Sequence, residues 1–115
     1  MIDFTKVRSL VDSSKNILLT THENPDGDGL GSCAAMYHYL KEIGKECRII
    51  TYSDFPVEYG FLNAEDIFEI HDLKEHRNWI KNIDLAIVFD VGNIKRLKSI
   101  YLEKRKDYQM ILLRQ

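Results

Sequence analysis

Apolar residues recur along this chain in two forms, short continuous runs and stripes at helical spacing. The runs Asn16–Thr21 and Asp84–Phe89 are apolar at their centres without a break, as strands buried on both faces of a parallel sheet should be. Glu46–Tyr52 alternates around Cys47, Ile49 and Ile50, and with Ile67–Ile70 and Tyr108–Leu113 it predicts three further strands. Phe4–Ser13 predicts an amphipathic helix, with Phe4, Val7, Leu10 and Val11 on one side and Thr5, Lys6, Arg8 and Ser9 on the other. Leu30–Ile43 predicts a second helix that packs through Ala34, Ala35, Met36, Tyr39, Leu40 and Ile43, and Gly44 stops it. Val57–Leu62 reads as a helical turn, Leu73–Ile80 as a helix with Trp79 and Ile80 inward, and Ile94–Lys104 as a helix with Leu97, Ile100 and Tyr101 inward. Strands alternating with helices over the whole length predict an α/β domain, a three-layer α/β/α arrangement around a mostly parallel sheet.

The 115 residues suffice for one domain and one core. A net charge of -2 gives no general attraction for polyanions, so any affinity for a phosphate must come from a local site. Cys33 and Cys47 form no Cys-x-x-Cys pair and read as reduced, buried hydrophobes. No apolar run approaches the roughly twenty residues of a membrane span, and Met1–Thr5 lacks the features of a signal peptide. The default expectation is a cytoplasmic protein without a membrane partner.

Candidate chemistry concentrates after the first strand, in Thr21-His22-Glu23-Asn24-Pro25-Asp26-Gly27-Asp28-Gly29-Leu30-Gly31-Ser32. A loop leaving the carboxyl end of a parallel strand opens on the ligand crevice of an α/β sheet. His22, Asp26 and Asp28 there offer an imidazole and two carboxylates, a mixed set that suits Mn, Zn or Fe. Three other readings compete. Asn24-x-Asp26-x-Asp28-Gly29 matches the start of a calcium loop, but the twelfth position, which should be Glu, is Ala35. Gly27-x-Gly29-x-Gly31 departs from dinucleotide-binding spacing and carries carboxylates where a pyrophosphate would lie. An ordinary strand-to-helix turn, with Asp and Gly capping and bending, is the third. Asp90, just past the second clear strand, reads either as a ligand at the sheet's carboxyl edge or as a helix N-cap. His38 reads as a partly exposed helix residue, and His71 and His76, with Asp72, Glu75 and Arg77, as a solvated surface.

His22-x-x-x-Asp26-x-Asp28, with Pro25 and the trailing Gly31-Ser32, closely resembles the first motif of the DHH phosphoesterases, the family of RecJ-type exonucleases, oligoribonucleases (nanoRNases) and pAp phosphatases. Asp84-Leu85-Ala86-Ile87-Val88-Phe89-Asp90, followed by Arg96, resembles its second motif. The resemblance implies a Mn²⁺-dependent phosphoesterase acting on short oligonucleotides or small nucleoside phosphates. It implies His22 and Asp26 on one ion, Asp28 on a second, Asp90 bridging both, and Ser32 and Arg96 in support, with Asp28 and Asp90 essential to catalysis. The Asp-His-His triplet that names the family does not occur in the sequence, where Met110-Ile111-Leu112-Leu113 is followed by Arg114-Gln115. Residues 1–115 therefore correspond to the front of such a domain, before the triplet and before the substrate-binding C-terminal domain. Alone they are expected to hold at most one ion and to be inactive. A homodimer is compatible with this reading, and the alternative is a noncatalytic nucleotide- or metal-binding regulatory module.

Overall fold

Residues 4–21, 27–51, 56–63, 65–89 and 109–113 are described by the structure, a computed structural model. In chain order the elements are α1 (Phe4–Asp12), β1 (Asn16–Thr21), α2 (Gly27–Glu42), β2 (Glu46–Thr51), a 3₁₀ segment (Val57–Asn63), β3 (Phe68–Ile70), α3 (Leu73–Lys81), β4 (Leu85–Phe89) and β5 (Gln109–Leu113). Among the described residues the five strands form one sheet in the order β3-β2-β1-β4-β5, and every neighbouring pair is parallel. The α/β class and parallel sheet expected from the apolar runs are what the chain adopts. The expected helix Ile94–Lys104 lies outside the described residues.

Alternation along the strands divides the core between two faces. Ile17 and Leu19 of β1, Cys47 and Ile49 of β2, and Leu85, Ile87 and Phe89 of β4 join Val11 of α1 and Leu30, Cys33 and Leu40 of α2 in one cluster. Tyr59 and Leu62 of the 3₁₀ segment pack against its margin. The alternate buried positions, Leu18, Thr20, Ala86 and Val88, turn to the other face. There Arg48 of β2 lies over the Trp79 ring of α3, its guanidinium carbon 5.3 Å from the ring centroid. Helices therefore cover both faces of the sheet, giving three layers.

Local chemistry explains where the helices stop. The last turn of α1 is closed by the hydroxyls of Ser13 and Ser14, which donate to the Leu10 carbonyl at 3.1 and 2.6 Å. Lys45 Nζ then donates to the carbonyls of Asp12 and Ser14, a cation at a helix carboxyl end. Gly44 takes φ +83° just past α2. Its N–H donates to the Lys41 carbonyl, while the Lys45 N–H donates to that of Leu40, so α2 ends in a Schellman motif. Asp72 caps α3, its carboxylate accepting from the N–H groups of Lys74 and Glu75.

Two expectations about α2 need correction. The helix begins at Gly27, three positions before Leu30, so Asp28 belongs to its first turn and not to a loop. Its inward face is Leu30, Cys33, Ala34 and Leu40, with Tyr37 half-buried, whereas Ala35, Tyr39 and Ile43 are exposed. Apolar residues surround this helix on most sides, so spacing alone does not select the face that meets the sheet.

At the amino end of the sheet, Asp84 immediately precedes β4, and its carboxylate accepts from the N–H groups of Lys15 and Asn16, each at 2.9 Å. The Asn16 side-chain amide in turn donates to the Asn82 carbonyl at 3.0 Å. The entries to β1 and β4 are thereby tied together.

Candidate metal centre at the β1 and β4 ends

From β1 the chain adds β2 and then β3 on one side, and afterwards returns to place β4 and β5 on the other. The order reverses between β1 and β4, and in an open α/β sheet the crevice beyond the carboxyl ends of two such strands is where ligands bind. Thr21, the last residue of β1, is the register partner of Phe89, the last residue of β4. Thr21 Oγ1 donates to the Phe89 carbonyl at 2.8 Å, and the residue is 1% exposed. His22 and Asp90 are the next residues of the two segments.

His22, Asp26, Asp90 and Arg96 lie outside the described residues, and of Asp28 the backbone is described, within the first turn of α2. A carboxylate in a first helical turn faces the positive end of the helix dipole. Ser32 is half-buried one turn further along, at the position after Gly31. The donor set expected from the sequence, one imidazole and three carboxylates, would fit a hard-to-borderline divalent ion. Thr21 and Phe89, the residues that precede His22 and Asp90 in the chain, lie side by side. Thr21 itself had no role assigned from sequence; a hydroxyl at the last position of a buried apolar strand was the available signal.

A second group of possible metal donors lies on β3 and α3, where ligand atoms of Glu69, Glu75 and His76 come within 4.8 Å of one another. Sequence reading treats this region as solvated surface, yet His76 is 1% exposed. Its Nδ1 accepts from the Asp72 N–H at 2.9 Å, which leaves Nε2 to carry the proton and donate to Glu69 Oε1 at 3.0 Å. Glu69 also pairs with Arg48 at 3.7 Å. Both imidazole nitrogens are thus occupied by the fold and one carboxylate is already neutralised, so this cluster works as a buried polar brace between α3 and the sheet. His76, Trp79, Ile80 and Ile83 share helical spacing, and that stripe was the missed sign of an inward His. The His71 and His76 rings stack with centroids 6.0 Å apart. Burial, with the neighbouring His76, lowers the pKa of His71, and Asp72 opposes this in part.

Cys33 and Cys47 are free thiols in the core, as expected. Burial raises both pKa values, that of Cys47 to about 11, so neither is a nucleophile at neutral pH. No helix among the described residues is long and apolar enough to cross a membrane.

No curated protein matches this sequence. A solved structure described as an exopolyphosphatase-related protein from Bacteroides fragilis superposes with a TM-score of 0.77 at 20% identity, over 96% of this chain and 33% of that one. At that identity the likeness speaks for the fold, and this chain spans about a third of that protein's length. A family model described as "DHH family, N-terminal domain" matches residues 16–113, from the first residue of β1 to the last of β5. The chain therefore belongs to the DHH family, a phosphoesterase-type family, and the part of it seen here is that family's N-terminal domain.

Proposed function

We propose that this chain carries the first part of a two-ion phosphoesterase site for short oligonucleotides or small nucleoside phosphates, of the nanoRNase or pAp phosphatase kind. The observation that supports it most directly is the pairing of Thr21 with Phe89 at the point where strand order reverses. His22 and Asp90 follow that pair directly in the sequence, so the four donors would need no long excursion to converge. His22 and Asp26 would hold one ion, Asp28 a second, and Asp90 both, with Mn²⁺ the ion favoured by the mixed nitrogen and oxygen set. When bound, two divalent ions would supply positive charge to the attacking and leaving oxygens of an in-line displacement at phosphorus. Ser32, in α2, and Arg96 would support the ligands from behind.

A ligand count limits what the 115 residues do alone. Three protein ligands with water completing the shell can suffice for one ion. Asp28 with a shared Asp90 is a poor set for another. Calorimetric titration with Mn²⁺ should accordingly find no more than one site per chain, lost in Asp90→Ala, and a dinucleotide or pAp should not be hydrolysed above buffer rates. Two tight sites, or clear turnover by this chain, would refute this ligand count. In a chain that includes the Asp-His-His segment, Asp28→Ala and Asp90→Ala should each abolish hydrolysis while leaving thermal stability intact. Nucleotide binding without hydrolysis by that longer chain would favour a noncatalytic module.

A further inference from the structure

Between α2 and the 3₁₀ segment runs an open groove of about 330 Å³, a volume at the lower end of small-ligand sites. Its α2 wall includes Gly31, Ala34 and Ala35, and the opposite wall is Phe61 and Leu62. Position 31 is one turn beyond Asp28 on the same face of α2, so the groove starts directly beside the proposed phosphoester site. Among the described residues a Cβ on Gly31 would meet nothing within 4 Å, so their packing does not demand a glycine there. A glycine inside a helix is unfavourable relative to alanine, and here its absent side chain widens the groove.

The 3₁₀ segment is anchored by Tyr59 and Leu62, which pack on the core cluster, while Phe61 is left 74% exposed at the groove. His38 stands at the rim, its ring edge-on to that of Tyr37 with centroids 5.5 Å apart. Among the described residues no Lys or Arg lines the groove, and the one carboxylate that does is Glu65. These features repel an extended polyanion such as a polyphosphate chain and suit a flat, uncharged, polarisable ring with hydrogen-bonding edges.

We infer that this groove is the nucleobase subsite of the phosphoester site, with the base stacked on Phe61 and its edge toward His38 and Glu65. The inference rests on the phosphoesterase reading for the phosphate end of the ligand, and it narrows the substrate class to nucleotides over inorganic polyphosphate. Base stacking on an aromatic side chain tolerates any base, so the subsite selects for the presence of a base more than for its identity.

The test uses the ¹⁵N-labelled 115-residue chain with Mg²⁺, titrated separately with AMP, adenosine, ribose 5-phosphate and tripolyphosphate. AMP and adenosine should shift the amides of Gly31, Ala35, Phe61 and Leu62, and ribose 5-phosphate and tripolyphosphate should leave those amides in place. Phe61→Ala should weaken AMP about tenfold without changing the affinity for ribose 5-phosphate, and Phe61→Trp should restore AMP binding. Phe61 is too exposed for either change to threaten the fold. Absence of groove shifts with millimolar AMP and adenosine, equal AMP affinity in Phe61→Ala and the parent chain, or the same groove shifts with tripolyphosphate would each overturn the inference. Failure of the two readings is separable. AMP binding in the groove with no ribose 5-phosphate binding removes the phosphate site and supports the base subsite; ribose 5-phosphate binding with AMP indifferent to Phe61 overturns the base subsite alone.

Discussion

Replacing Thr21 by valine isolates the hydrogen bond that joins the ends of β1 and β4. Valine keeps the branched shape and suits a strand, so packing and backbone preference change little. What disappears is the 2.8 Å bond from Oγ1 to the Phe89 carbonyl, in surroundings where Thr21 is 1% exposed. A buried acceptor deprived of its partner costs roughly 1–3 kcal/mol. The Phe89 oxygen has a second lone pair for other partners, which places the expected loss near the lower end, about 1–2 kcal/mol. Trp79 is the only tryptophan and sits half-buried on α3, so its fluorescence follows unfolding of the sheet and helix layers together. With a urea slope of about 1–3 kcal/mol per M, the midpoint should fall by roughly 0.3–2 M with the slope unchanged. Thr21→Ser, which keeps the hydroxyl, should lose less. Ile50→Val provides a control of similar cost away from the site, about 0.5–1.5 kcal/mol; Thr21→Val should also weaken Mn²⁺ binding, and Ile50→Val should not. An unshifted or raised midpoint in Thr21→Val, or Mn²⁺ affinity equal in the two variants, would contradict the role given to this bond.

Asp84→Ala removes an acceptor for two backbone N–H groups, and its thermal or urea midpoint should report a loss of about 1–3 kcal/mol. Burial, more than the opposed effects of Lys41 and Glu46, holds the Cys47 thiol at about 11, whereas an unfolded thiol titrates near about 8.5. The folded state binds that proton more tightly, so the contribution is complete below about 8.5 and is lost as pH rises through about 11; urea midpoints at the two ends of this window should differ less in Cys47→Ala than in the parent chain. His71 shifts the other way, because burial and then His76 lower its pKa from 6.5. Its contribution is present above 6.5 and declines as pH falls through the folded value. An imidazole NMR titration should place the His71 midpoint below 6.5, and a midpoint above it would show that the burial effect is not dominant.

The strands were legible because burial on both faces leaves a continuous apolar signature, and Ile17–Leu19 and Leu85–Phe89 carry it without interruption. The acidic segments were placed at the carboxyl ends of these strands, but the strand order, and with it the reversal between β1 and β4, is seen only in the structure. The inward face of α2 was not legible, since Tyr39 and Ile43 are as apolar as residues that do meet the sheet. His76 was missed for a different reason: a polar side chain is buried when specific partners satisfy it, and Asp72 and Glu69 become partners in three dimensions that local composition does not reveal. Asp84, read as part of an acidic motif at a strand, turned out to bind the backbone of a residue 69 positions away in Lys15.

Parallel strands can in principle slide along one another, exchanging one ladder for the next with little loss of hydrogen bonding. Between β1 and β4 that freedom is removed, because Asp84 grips the backbone where the pair begins and Thr21 grips Phe89 where it ends. A displacement by one residue would break both grips and exchange the two sheet faces of the displaced strand. Likewise a single insertion or deletion inside either strand leaves at most one grip in reach, since each residue advances the strand by about 3.3 Å. Length changes in this domain should therefore be accommodated outside the two central strands, whose separation between grips works as a fixed ruler for the loops beyond Thr21 and Phe89.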